Sequence, residues 1–246
     1  MDTDAFSIEQ DAARHIATVK LSRARSGNKL LASEIPMLGQ AIRRVGSAKD
    51  IKLVLVKGEG THFCQGRAPD APGKAPTTAL GIRAGITEPI LDAYADVRAT
   101  PVPVIAVVQG EAKGFGCAFV AACDLAIAAD TAVFSFPELD HHLPPTLAMS
   151  AMLHKVTPKR LLHLIYTRTE IGAGEALALG LLSEVVPAAA LDSAVEKTVT
   201  LLADRNRAAL TGIKEYLNTA LYADPAGASR LAANLLACVL SSPRDE

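Results

Sequence analysis

The sequence contains no tryptophan, no nucleic-acid signature and no excess of charge of either sign. With 25 Lys and Arg against 26 Asp and Glu, the formal net charge is −1, so nothing pulls the chain toward nucleic acid or an anionic membrane. No apolar run approaches the ~18 residues of a membrane span. The opening stretch MDTDAFSIEQDAARH is acidic and polar, unlike a signal peptide or an arginine-rich transit peptide, and a cytoplasmic location is expected. Cysteine is scarce, and Cys64, Cys117, Cys123 and Cys238 include no C-x-x-C pair. Cys117 and Cys123 sit inside an apolar run, where small buried hydrophobes are expected rather than zinc ligands; no metal site is expected.

What is present suits a globular chain. Half of the 246 residues are hydrophobic and 21% are charged, enough for one sizeable α/β domain or a core with a helical appendage. HIATVKLS alternates like a strand with one wet face, and IKLVLVKG is a second strand, giving a β-β/α-β arrangement before residue 60. Between them, SEIPMLGQAIRRVG carries a helical stripe of Ile35, Leu38, Ile42 and Val45, with Ser33 as the expected cap. A Pro/Gly-rich segment, THFCQGRAPDAPGKAPTTALG, reads as a long loop of the kind that is more often functional than not. TEPILDAYADVRAT reads as a helix with Thr87 as cap and Glu88 in its first turn. Two short strands, LAIAAD and AVFSF, lead to a proline-bounded loop and a helix from about Thr146. From Leu191 the sequence reads as two or three helices separated near Ala223–Gly227, so we divide the chain into a core, 1–190, and a helical region, 191–246.

One stretch asks for chemistry: GEAKGFGCAFVAACD, residues 110–124. An apolar β-branched strand, VPVIAVVQ, precedes it and a run of small side chains follows, so strand, glycine turn and helix succeed one another. That order points backbone N–H groups at whatever lies above the turn. A second glycine turn, FCQGR, also follows an apolar strand. Two N–H groups converging on one carbonyl oxygen would make an oxyanion hole, although two tight turns without a ligand fit the spacing as well.

HFCQGR, then PVIAVVQGEAKGFGCAFVAACDLAIAAD, AVFSFPE and RTEIGAGEALALGLLSEVVP together resemble the enoyl-CoA hydratase/isomerase (crotonase) superfamily, in register from about His15 to Pro187. The resemblance implies an α/β fold of the ClpP/crotonase type: a spiral of ββα units with a helical C-terminal region that builds homotrimers or dimers of trimers. It also implies an acyl-CoA substrate whose enolate oxygen is held by two backbone N–H groups, with coenzyme A entering only as part of the thioester and no bound cofactor. The matching positions are Arg67, after Gly66, and Phe115, after Gly114. Phe115 stands where relatives more often carry glycine, which narrows the space, and a positive φ there would strain it.

Hydratases of the superfamily usually place two glutamates at the site. Here the first position is Ala118, and the second, in SFPELD, is Glu138. Apolar neighbours would raise the Glu138 pKa. One carboxylate suffices to move a double bond, by taking a proton beside the thioester and returning it two carbons along, so isomerase-type chemistry is expected. Two alternatives stand beside it: a hydratase or lyase in which Asp140, His141 or His142 handles water, with Thr146 orienting it, and a non-catalytic acyl-CoA binder. The resemblance further marks Arg23, Arg25, Lys29 and Lys214 as contacts to coenzyme A. Arg83 and Tyr94, with Ala118 and Glu88, are expected around the acyl group.

Overall fold

The computed structural model describes residues 5–69 and 76–242; residues 70–75 of the long loop, and the ends of both expected regions, lie outside them. The chain runs β1 (Phe6–Asp11), β2 (Ile16–Leu21), α1 (Ile35–Gly46), β3 (Leu53–Gly58), α2 (Ala79–Ile82), α3 (Glu88–Ala99), β4 (Val104–Val108), β5 (Glu111–Lys113) and α4 (Phe115–Ala122). It continues through β6 (Leu125–Ala129), β7 (Val133–Ser135), α5 (Thr146–Met152), α6 (Pro158–Thr167), β8 (Ile171–Gly172), α7 (Ala173–Ala178) and β9 (Glu184–Val186). Three helices close it: α8 (Leu191–Ala203), α9 (Arg207–Ala220) and α10 (Pro225–Ser241).

A six-stranded sheet has the order β1-β2-β3-β4-β6-β9, antiparallel at β1–β2 and parallel across the rest. β4, VIAVV, is buried along its whole length, as a central parallel strand covered on both faces must be. A smaller sheet, β5-β7-β8, begins directly after it. The stripe Ile35, Leu38, Ile42 and Val45 is buried, and α1 packs along α3. On the other side, Leu191, Val195 and Val199 of α8 join Ile16, Leu53, Ile105, Val107 and Ile127 in a second core cluster. The first helix of the C-terminal region therefore covers the sheet. In contrast, α10 packs on α9 and buries none of its residues, leaving Leu236 and Leu240 exposed.

Two helix starts differ from expectation. No side chain caps α1: Ser33 is passed over, and the Glu34 carboxylate instead accepts the Leu31 N–H at 2.8 Å. Thr87 is not a cap either, because the chain enters α3 already coiled through a π-helical turn, Arg83–Thr87. The Thr87 hydroxyl donates to the Arg83 carbonyl at 3.2 Å. Helix α2 also makes the end of the expected loop helical.

Candidate active site

The two glycine turns are bound together by main chain. The Cys64 N–H donates to the Glu111 carbonyl at 3.2 Å, and the Lys113 N–H donates to the Cys64 carbonyl at 3.0 Å. A Cβ placed on Gly66 would lie 3.1 Å from the Lys113 carbonyl oxygen and 3.8 Å from the Phe115 nitrogen. The Gly66–Arg67 segment thus runs against the start of α4. Arg67 is held in register by a bridge to Leu30, with the Leu30 N–H donating to the Gly66 carbonyl at 3.2 Å.

Within these two turns the positive φ falls on glycine: +98° at Gly66 and +51° at Gly114. Phe115 is not among the positive-φ residues and opens α4, so the strain considered for it does not arise. As the first helical residue, its N–H has no acceptor within the helix.

Glu138 lies in a short 3-10 turn, Pro137–His141, whose proline fixes the first turn. Its Oε1 would be 2.8 Å from a Cβ on Gly114, so the carboxyl group sits directly over the turn that presents the Phe115 amide. Oε2 is buried and has no hydrogen-bond partner. Burial raises the Glu138 pKa above the usual carboxylate value, while its own backbone N–H and the neighbouring His141 act in the opposite direction. A half-buried carboxyl with one unpartnered oxygen, beside an amide at a helix N-terminus, is suited to passing a proton next to a developing oxyanion.

The other expected residues scatter. Ala118 is fully buried on α4 and offers no carboxylate. Tyr94 is buried and stacks on Phe115, with ring centroids 5.8 Å apart and planes 14° apart. Burial first, and then the charge of Glu138, push the Tyr94 phenol pKa upward. Asp140 pairs with Arg168. His141, His142 and Thr146 are exposed, and His142 adopts a left-handed conformation where the 3-10 turn ends. Arg83 does not turn inward: it pairs with Glu88 at 2.7 Å, and both side chains are exposed.

Two of the coenzyme A candidates are committed elsewhere. Lys214 is buried, and its ammonium donates to Asp124 Oδ2 at 2.6 Å and to the carbonyls of Val97 and Val102 at 2.9 and 3.2 Å. Its ammonium is thus taken up by three acceptors of its own chain, where a side chain standing free at the surface was expected. Arg23 donates twice to the Glu34 carboxylate, at 2.7 and 2.5 Å. Arg25 is exposed and Lys29 half-buried; Arg23 and Arg25, with Ser22, Ser26 and Glu59, border a depression of about 450 Å³.

Sequence reasoning passed over two structural residues. Asn28, at φ +55°, donates from Nδ2 to the carbonyls of Glu59 and His62 at 2.9 and 2.8 Å, and its own carbonyl accepts the Cys64 thiol at 3.3 Å. It anchors the approach to Gly66, and the Gly-Asn pair was the available signal. Asp124 is the second, the partner that holds Lys214. A groove of about 880 Å³ between α3, α4, α5 and α9 is lined by Ala121, Asp124, Ala151, Lys155 and Lys214, but by none of Arg67, Phe115 or Glu138. Among the described residues no group of three His, Cys, Asp or Glu side chains is placed to hold a metal ion, and no helix is long and apolar enough to cross a membrane.

The fold has counterparts in known proteins. The human mitochondrial enoyl-CoA hydratase domain-containing protein 3 is 30% identical over 192 residues, 78% of this chain and 63% of its own length. Its mouse and rat counterparts are also covered over less than two thirds of their lengths. The crystal structure of a Mycobacterium smegmatis enoyl-CoA hydratase superposes with a TM-score of 0.91 at 26% identity, over 97% of this chain and 92% of that one. The crystal structure of the human domain-containing protein 3 gives 0.88 at 28% identity, over the same shares of the two chains. The family model for enoyl-CoA hydratase/isomerase matches residues 11–241, and the chain, crotonase-like in fold, belongs to that family.

Proposed function

We propose that this chain is an acyl-CoA enzyme that moves a double bond by isomerase-type proton transfer. The thioester oxygen accepts hydrogen bonds from the backbone N–H groups of Arg67 and Phe115. The Glu138 carboxylate removes a proton from the carbon next to the thioester, and the electron pair spreads onto that oxygen as an enolate. The protonated Glu138 then returns the proton two carbons along, which leaves the double bond conjugated with the carbonyl. The observation that carries this reading is the 2.8 Å approach of Glu138 Oε1 to the Cβ position of Gly114. Ala118 supplies no second carboxylate to hold and activate water, and Asp140 is engaged by Arg168, which favours proton transfer over hydration.

Coenzyme A is part of the substrate in this reading, with Arg25 and Lys29 as the basic side chains that would meet it. We also propose assembly into a homotrimer or a dimer of trimers through the region 191–246, with the exposed Leu236 and Leu240 of α10 as surface to be covered. The cytoplasmic location rests on composition, against relatives whose names include the word mitochondrial.

The test is Glu138→Gln assayed on β,γ-unsaturated butenoyl-CoA, following the absorbance of the conjugated thioester. A positioned general base contributes about 10²–10⁴-fold, so turnover should drop by at least about 100-fold; unchanged turnover removes Glu138 from the mechanism. Incorporation of labelled solvent oxygen into a 3-hydroxyacyl product would establish hydration instead. Binding without turnover across a panel of thioesters would establish a non-catalytic binder.

A further inference from the structure

We infer that the stacked rings of Tyr94, Phe115 and Phe119 close the far end of the acyl site and restrict this chain to thioesters of short acyl groups. The inference rests on the reading of Arg67, Phe115 and Glu138 given above and deepens it by naming the substrate class.

The reacting carbons must lie between the Phe115 amide and the Glu138 carboxyl, a span fixed by the contact of Glu138 with Gly114. In this reading an acyl tail longer than those carbons runs past the Phe115 side chain, which is carried by the same residue as the amide. There it meets aromatic rings rather than open space. The Phe115 ring lies nearly parallel to Tyr94, with centroids 5.8 Å apart, and 5.6 Å from Phe119 at 44°. Tyr94 and Phe119 are each 1% exposed and Phe115 is 7% exposed.

The elements around the rings are packed together as well. Helix α4 packs on both α3 and α5, and Ile90 and Ala93 of α3, Ala118 of α4, and Ala148 and Met152 of α5 are buried in the main core cluster with the three rings. Interiors of this kind are packed as densely as organic crystals, so a string of extra methylenes enters only if a ring leaves its place. That Glu138 contributes to the raised Tyr94 pKa fits a phenol ring bordering the same small space.

The experiment measures kcat/KM for butenoyl-, hexenoyl-, octenoyl- and decenoyl-CoA with the full chain, and with Tyr94→Ala and Tyr94→Phe. One misfitting methylene is worth ~10-fold or more in a shaped pocket, so the native chain should lose at least about 100-fold from butenoyl to decenoyl. Tyr94→Ala should narrow that ratio by about tenfold, and Tyr94→Phe, which keeps the ring, should retain the steep decline. Equal turnover of butenoyl and decenoyl substrates by the native chain, or the same ratio in Tyr94→Ala, overturns the inference.

Calorimetric binding of saturated butyryl- and decanoyl-CoA to the native chain decides the matter even if Tyr94→Ala does not fold. Tight binding of butyryl-CoA alone supports the closed pocket, and equal or tighter binding of decanoyl-CoA refutes it. Length-selective binding with no turnover of any thioester would leave the size limit standing and remove the proposed proton transfer. Failure of both thioesters to bind would remove both.

Discussion

Replacing Lys214 by Met tests the buried ion pair most directly. The ammonium is 5% exposed and the Asp124 carboxylate 25%, with 2.6 Å between them. At an effective dielectric of about 20, such a contact carries about 6 kcal/mol of Coulombic attraction before desolvation is subtracted. Desolvation offsets much of this, so the pair as a whole adds little, but removing one partner leaves the other charge buried and costs about 3–5 kcal/mol. The methionine also abandons the carbonyls of Val97 and Val102, which pin α9 to the end of α3 and to the loop before β4. Asp124 keeps the Val104 N–H at 2.7 Å, which limits the damage, so a loss of about 3 kcal/mol is expected. Urea unfolding of Lys214→Met, Asp124→Asn and the double variant, followed by circular dichroism, measures both the loss and the coupling. A loss below about 1 kcal/mol, or the same loss when Asp124 is already Asn, would refute the reasoning. A raised KM for a CoA thioester with unchanged stability would return Lys214 to the phosphate-binding role expected from sequence.

The raised Glu138 pKa sets two signs. A base must be ionised to act, so kcat/KM should rise with pH on a limb lying above the usual glutamate value, and a limb at or below that value would contradict the buried setting. A carboxyl whose folded pKa is raised also binds protons more tightly when folded, so its contribution to stability should diminish as pH rises from the usual glutamate value through the raised one, measurable as a downward trend in urea midpoints. Burial pushes the Cys64 and Cys123 thiols up to about 12 and raises Cys117 further, and Cys238 alone is exposed. A disulfide reagent at pH 8 should therefore modify one thiol in the native chain and four after unfolding; more than one in the native chain would contradict the packing. Gly114→Ala forces a methyl into positive φ and against Glu138, which should cost about 1–3 kcal/mol and reduce turnover; a neutral result in both melting and assay would show that the carboxyl lies elsewhere.

The sequence was most legible where local pattern and burial agree. VPVIAVVQ followed by glycines shows strand, turn and helix because a buried parallel strand needs a β-branched run and the turn needs residues tolerant of positive φ. The Ile35, Leu38, Ile42 and Val45 stripe survives intact in α1. Glu111–Lys113 was not legible as a strand: Glu-Ala-Lys favours helix, and the extension comes from pairing with β7 and with Cys64. Lys214 looked like a surface base because its partner is 90 residues away, a distance over which no local pattern reports. Ser33 and Thr87 carried cap chemistry, yet at Ser33 the neighbouring Glu34 took the local N–H, and at Thr87 a preceding coil left nothing to cap. The glycine turns and Glu138 were legible from motif, whereas the Arg168 that pairs with Asp140 was not, since nothing near Asp140 in sequence announces it.

Cys64 is joined to Glu111 and Lys113 by bonds between peptide groups, to which Gln65 and His62 add side-chain bonds at Glu111. The alignment of this seam does not depend on the side chains at positions 67 and 115, which can change while the amides stay registered. At Phe115 one residue then divides two duties, its nitrogen opening α4 beside Gly66 and its ring stacking on Tyr94. Variation confined to the ring and its Tyr94 neighbour would redraw the shape of the chamber and leave the scaffold where it is.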